Sequence, residues 1–157
     1  ASYALTEADA RRAAEQGTVV VTTLGALLRA LEPLDDTSPQ FAEAQRILEL
    51  VRANLELLRR ARVRLVLGSD EYDWQESTVV DEFLALSHLD LFAPEELLRM
   101  WCVDTPRALF PKRKLGGFEP GDEASFLVLG ADPLADPEGV RDVRLRVKQG
   151  RVLELAR

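Results

Sequence analysis

Two short apolar segments separated by a long amphipathic helix constrain the fold of this chain more than any other feature. The first is TVVVTTL at 18–24, which is rich in β-branched residues. The second is the run Val63–Leu67, which stops at Gly68-Ser69-Asp70. Short apolar runs bounded by turn residues predict buried strands. Because a helix joins the two segments, we expect parallel strands that are covered on both faces.

The segment between these strands predicts a helix over 41–61. Its apolar residues recur at spacings of three, four and seven, which is the pattern of an amphipathic helix. Upstream, Thr6 followed by Asp9 predicts a capped helix start, and Gly17 suits the position just after that helix. The first half of the chain is therefore predicted as helix, strand, helix, strand, which contains a βαβ unit.

The second half changes character near Phe110–Leu115. Two further helices are predicted before that point, and the second of them, PEELLRMWCVDTPRALF, begins with Pro94 at its first turn. After it, helical periodicity gives way to three strand-like pieces. The last two are separated by Gln149-Gly150, a dipeptide suited to a tight hairpin turn. We therefore predict a boundary between an α/β segment, 1–110, and a small β segment, 111–157.

Composition excludes several classes of protein. The 157 residues carry a net charge of −7, which argues against a general nucleic-acid binder, since such proteins cluster Lys and Arg. No apolar run approaches the roughly 20 residues that span a bilayer. The single cysteine, Cys102, cannot form an internal disulfide, and its apolar helical context predicts a buried, inert thiol. A thiol enzyme would need His88 as partner, because it is the only histidine.

Five pieces in order resemble the carboxyl-terminal portion of the amidohydrolase superfamily, the metal-dependent hydrolases of imidazolonepropionase and dihydroorotase type. Gly68-Ser69-Asp70 resembles the end of the eighth barrel strand in those enzymes. Thr105–Ala108 resembles their TxNPAR segment, and Lys114–Leu129 resembles their KLGxLxxGxxADLVVL segment. Asp132-Pro133-Leu134 and a closing hairpin follow. Each piece is weak alone, and their order carries the resemblance.

The resemblance implies the carboxyl-terminal part of a (β/α)8 TIM-like barrel, namely its last two strands and helices, followed by the carboxyl-terminal strands of a small β-sandwich. The departures from the family pattern are also informative. With one histidine, the chain has no His-x-His pair, and Ser125 stands where the family more often has Asp. We therefore expect a piece of such an enzyme whose amino-terminal strands and histidine ligands lie elsewhere.

In function, the resemblance implies metal-dependent hydrolysis of non-peptide carbon–nitrogen bonds in cyclic amides or related small substrates. Asp70 would bind one or two divalent metal ions, with Zn²⁺ as the first candidate, and would accept a proton from the attacking water. From its strand context alone, Asp70 could equally be a helix cap or a turn residue. Tyr72, Asp73 and Trp74 are candidate substrate-loop residues, or else part of a packed loop. Catalytic zinc usually has three protein ligands, so this chain alone is expected to be inactive.

The main alternative is a non-catalytic truncated barrel that acts as an interaction or oligomerisation module. A partial barrel exposes strand edges and apolar helix faces, so self-association is expected. We expect a small-molecule substrate in the complete protein, with no nucleic-acid or membrane partner. The cytoplasm is the default compartment. Glu82 and the basic segment 111–114 are interpreted as a structural residue and a solvated connection.

Overall fold

A computed structural model describes residues 3–31, 33–70 and 79–154, and the chain divides into two compact units, Ala1–Leu91 and Phe92–Arg157. These two units are defined by compactness alone. The predicted boundary between residues 110 and 111 separates a barrel segment from a sandwich segment, and that boundary stays a prediction.

The first unit contains four helices and two strands in its described part. They are α1 (Glu7–Glu15), β1 (Val19–Thr22), α2 (Leu24–Leu31), α3 (Pro39–Arg60), β2 (Arg64–Leu67) and α4 (Val79–Ser87). The predicted capped start of α1 is confirmed. The Asp9 N–H donates to the Thr6 hydroxyl at 3.2 Å, and the Thr6 N–H donates to the Asp9 carboxylate at 2.9 Å. Gly17 follows with a φ of +66°, which is the left-handed conformation that glycine adopts at little cost.

The strands β1 and β2 pair in parallel, as predicted. The register runs from Val19 opposite Arg64 to Thr22 opposite Leu67. The connection between them includes α3, whose first turn is capped by the Ser38 hydroxyl. The last turns of α3 bury Leu55 and Leu58. The βαβ unit therefore brings both carboxyl ends of the strands to one edge of the sheet.

The core of the first unit is formed mainly around β2 and α4. Three of the four residues of β2 are buried, whereas β1 leaves Val19 38% and Val21 49% exposed. Five consecutive residues of α4 are buried, from Glu82 to Leu86. The strand β2 is thus covered on both faces, while β1 keeps an open apolar face.

The second unit begins with a helix that differs from the prediction. Instead of one continuous helix, α5 (Pro94–Arg99) passes into a π-helical turn (Met100–Asp104) and then into α6 (Thr105–Leu109). Pro106 has no N–H, so it cannot donate to the carbonyl of Cys102 as an α-helix requires. One residue earlier, the Thr105 hydroxyl donates to the carbonyl of Met100 at 2.7 Å. The local register shift therefore coincides with the proline.

Cys102 lies in this turn, and the expectation of a buried thiol is wrong because the residue is exposed. Protein atoms around its side chain still raise the pKa of the thiol by desolvation. Gly116 approaches the same turn. A Cβ at this position would overlap the carbonyl oxygen of Cys102, and its φ is +81°. Only glycine fits this approach.

The second unit also contains a three-stranded antiparallel sheet, formed by β3 (Phe126–Leu129), β4 (Val143–Lys148) and β5 (Arg151–Leu153). A short 3-10 helix, Pro137–Arg141, precedes β4. The predicted hairpin turn is confirmed, because Gln149 and Gly150 both have positive φ, +52° and +76°. This is the signature of the tight turn that matches strand twist.

Within the basic segment 111–114, whose other residues are exposed, Arg113 is bonded to the segment that precedes β3. Arg113 donates to both carboxylate oxygens of Glu123, from Nε at 3.0 Å and from Nη2 at 2.5 Å. The Ser125 hydroxyl donates to Glu123 at 2.6 Å and accepts from the Gln149 N–H at 3.0 Å. These hydrogen bonds, that of Arg113 above all, lower the pKa of Glu123 to about 2.

Within the described residues, no helix combines the length and the apolar character that crossing a membrane requires.

Gly116→Ala is expected to destabilise the chain by more than the ~1–3 kcal/mol that a left-handed non-glycine residue costs. The excess comes from the collision with the carbonyl of Cys102. Gly150→Ala is the matched control, because Gly150 also has positive φ but a Cβ added there would have no atom within 4 Å. Urea unfolding of both variants measures the difference. Equal losses would contradict the close approach.

Acid should weaken the second unit through Glu123. Its pKa in the fold, about 2, lies below the ordinary value of 4.5. The ionised carboxylate therefore contributes its full stability above pH 4.5, and this contribution is lost as the pH falls toward 2. Glu123→Gln should flatten the dependence of unfolding free energy on pH in that window.

The control is a double-mutant cycle with Arg113→Gln, read by urea unfolding at each pH. Once one partner is replaced, replacement of the other should change stability little. An unchanged acid slope in Glu123→Gln would show that this ion pair does not control acid stability.

Candidate functional site

The candidate site lies at the carboxyl ends of the two parallel strands. The Gly68 N–H donates to the carbonyl of Thr22 at 3.0 Å, which extends the pairing one residue beyond the last strand position. A Cβ at Gly68 would lie 2.5 Å from Cγ1 of Val21. A larger residue in place of Gly68 would therefore force the Val21 side chain on β1 to move.

Asp70 is the last described residue before the gap at 71–78. It is exposed, and its φ is +49°. A positive φ is uncommon outside glycine, and Asp is among the residues that tolerate it. Its backbone therefore departs from the extended conformation two residues after Gly68. The carboxylate is presented to solvent at the strand edge where the sequence predicted it.

Tyr72, Asp73 and Trp74 lie outside the described residues, so their assignment to a substrate loop stays a prediction. His88 is exposed just beyond the end of α4.

A metal centre needs several ligands close together, and the described residues do not provide one. No group of three or more His, Cys, Asp or Glu side chains in residues 3–31, 33–70 and 79–154 is arranged to hold an ion. The part of the chain that the structure describes therefore does not fit a complete metal site. The assignment of Asp70 as one ligand among several stays a prediction.

The most unusual group near these strand ends is a carboxyl that the sequence interpretation treated as structural. Glu82 on α4 is only 1% exposed. Its Oε2 accepts a hydrogen bond from the Gly25 N–H, at the start of α2, at 2.6 Å. Burial raises the pKa of Glu82, and hydrogen bonds with Gly25, Thr22 and Leu24 oppose that shift without cancelling it.

A sequence signal for this burial exists. Glu82 lies on the same side of its helix as Val79 and Leu86, which places a carboxyl on an apolar face. A buried carboxyl needs hydrogen-bond partners. The pattern could not show which groups would supply them, because Gly25 is 57 residues away along the chain.

Solved structures of longer proteins contain the same fold. A protein described as an amidohydrolase is 24% identical, with a TM-score of 0.77 over 95% of this chain and 37% of its own. Ochratoxinase from A. niger is 20% identical, with a TM-score of 0.81 over 96% and 35%. A Xaa-Pro dipeptidase with methionine bound in its active site is 19% identical, with a TM-score of 0.78 over 96% and 38%.

These likenesses establish the fold alone, because the identities are too low to transfer an activity. This chain spans little more than a third of the length of each of these proteins. The coarser prediction is thereby confirmed at the level of fold: the chain has the fold of a part of these proteins, one of which is described as an amidohydrolase. The finer likeness to imidazolonepropionase and dihydroorotase stays a prediction. No family model and no curated protein matches the sequence.

Proposed function

We propose that this chain is the carboxyl-terminal part of a metal-dependent hydrolase of carbon–nitrogen bonds, with Asp70 in its active site. The observation that carries the proposal is the position of Asp70. It lies three residues after the last residue of β2, and two residues after Gly68, whose N–H donates to the carbonyl of Thr22 at the end of β1. Barrel enzymes place their active sites at the carboxyl ends of their parallel strands. The fold shared with an amidohydrolase and a Xaa-Pro dipeptidase supports the same assignment.

Asp70 would act as one ligand to the metal. A carboxylate is a suitable oxygen ligand for Zn²⁺, and the exposed side chain of Asp70, three residues after the end of β2, is accessible to an ion. The remaining ligands would come from residues beyond the described part of this chain. When bound, such a metal polarises the scissile carbonyl and acidifies water.

The substrate class follows from the bond type. The sequence resemblance favoured non-peptide bonds in cyclic amides, while one similar structure is described as a Xaa-Pro dipeptidase. Both classes share a carbon–nitrogen bond to an acyl carbon. A test panel should therefore contain Xaa-Pro dipeptides, N-acyl amino acids and small cyclic amides.

Asp70→Asn is expected to lower hydrolysis on the order of 10²–10⁴-fold, because the amide cannot accept a proton and is a poorer metal ligand. The measurement requires the protein in which this chain is joined by the remaining barrel strands. Rates on the panel and bound Zn²⁺ should be measured together.

Asp90→Asn is the matched control. Asp90 is also an exposed aspartate with positive φ, +55°, and it lies in the same unit. This variant makes the same chemical change away from the strand ends and should keep both rate and metal. Full activity and full metal content in Asp70→Asn would overturn the assigned role.

A second candidate function, an interaction or oligomerisation module, is favoured by the open face of β1. In the part of the chain that the structure describes, β1 pairs only with β2. Its Val19 and Val21 side chains are 38% and 49% exposed. Edge strands with apolar side chains favour pairing with another chain.

Val19→Lys should reduce self-association, because an added charge on an edge strand opposes pairing. Val152→Lys on β5 is the control, since Val152 is 66% exposed on the other sheet. Size-exclusion chromatography with light scattering over a dilution series measures the change. A chain that stays monomeric at every concentration would exclude this function. A loss of association in the control alone would place the contact elsewhere.

A further inference from the structure

We propose that Glu82 is a positioning residue, which holds the carboxyl end of β1 and the start of α2 by hydrogen bonds and thereby fixes the placement of Gly68-Ser69-Asp70. As far as it concerns an active site, the inference rests on the proposed function. The placement itself is a property of this chain and can be tested without activity.

The first link is the contact between α2 and α4. A Cβ at Gly25 would lie 3.0 Å from the backbone nitrogen of Glu82, so the two helix backbones approach closely at this point. Nearby, Arg29 Nη1 and the Asp81 carboxylate lie 3.8 Å apart and connect the same two helices. Glu82 is therefore placed on α4 where α2 begins.

The second link is the hydrogen bond to α2. The first four N–H groups of a helix have no partner within the helix, and the Gly25 N–H is one of them. Glu82 Oε2 accepts from it at 2.6 Å inside the core. A side chain of the N-cap residue ordinarily supplies such an acceptor. Here the acceptor comes from another helix, so the start of α2 is tied to α4.

The third link runs through Thr22, which is 5% exposed. Its hydroxyl donates to the carbonyl of Val66 at 3.3 Å, and its own carbonyl accepts from the Gly68 N–H at 3.0 Å. The same hydroxyl interacts with the carboxyl of Glu82. Glu82 is thus connected through a single residue to Gly68, two positions before Asp70.

The fourth link concerns the hydrogen-bonding capacity of Glu82. Its Oε2 accepts from the Gly25 N–H, whereas its Oε1 is buried and, within the described residues, has no hydrogen-bond partner. A glutamine at position 82 would keep an oxygen acceptor for the Gly25 N–H, whereas a methionine would offer none.

The test compares Glu82→Gln and Glu82→Met in this 157-residue chain by NMR. The readouts are hydrogen exchange at Gly25 and Gly68, and the backbone and carboxyl shifts of Asp70. Glu82→Gln should leave them close to wild type. Glu82→Met should speed exchange at Gly25 and Gly68 on the order of tenfold, relative to the slowest amides of β2, and should move the Asp70 signals.

Leu86→Ala is the matched control. Leu86 is fully buried one turn further along the same helix. Its truncation should lower global stability without selectively affecting Gly25, Gly68 or Asp70. Rescue by glutamine but not by methionine distinguishes a hydrogen-bonding role from simple filling of space.

Wild-type signals at Gly68 and Asp70 in Glu82→Met would overturn the inference, and so would equal disturbance in Glu82→Gln. If the methionine variant does not fold, Thr22→Val tests the same connection. It should displace Gly68 and Asp70, and an unchanged spectrum there would equally overturn the inference. Since none of these readouts needs metal or substrate, failure here leaves the Asp70→Asn test of the proposed function independent.

Discussion

The parallel pairing of β1 with β2 determines most of what can be inferred about this chain. It sets Thr22 opposite Leu67 and thereby places two strand ends side by side. The hydrogen bond from Gly68 to Thr22 carries that alignment into the following loop. Without this register, Asp70 would be an ordinary surface carboxylate, because in the part of the chain that the structure describes it belongs to no group of metal-binding side chains. Its candidate role rests on its position just beyond the carboxyl end of β2.

Burial of Glu82 shows how the fold uses a group that a core normally excludes. An unpaired carboxyl transferred to an apolar interior costs several kcal/mol. Part of this cost is offset because the start of α2 has backbone donors that also need partners. Two unfavourable groups, a buried acid and an unsatisfied helix end, stabilise each other across the α2–α4 contact. This contact also favours glycine at position 25, since a Cβ there would lie 3.0 Å from the backbone nitrogen of Glu82 and the two helices would have to shift apart slightly.

Local patterns predicted the parts of the structure that depend on local spacing. The two strands, the long helix α3, the capped start of α1 and the Gln149-Gly150 turn all followed from periodicity and turn chemistry. The interruption of the helix near Pro106 had a local signal, namely the missing N–H of proline. The partner of Glu82 could not be predicted, since Gly25 is 57 residues away in the sequence, and periodicity wrongly placed Cys102 on a buried face. Asp70 was found through strand position and family resemblance, and the co-ligands expected for it have no counterpart in the described residues.

The π-helical turn has a practical consequence for spectroscopy. It carries the chain's single cysteine, Cys102, at an exposed position, so a fluorophore or spin label can be attached at one site without mutagenesis. Because the pKa of this thiol is raised, labelling should proceed faster in mildly alkaline buffer than at neutral pH. The carbonyl of the same residue faces Gly116. A probe at Cys102 would therefore report directly on whether Gly116 remains packed against the π-helical turn.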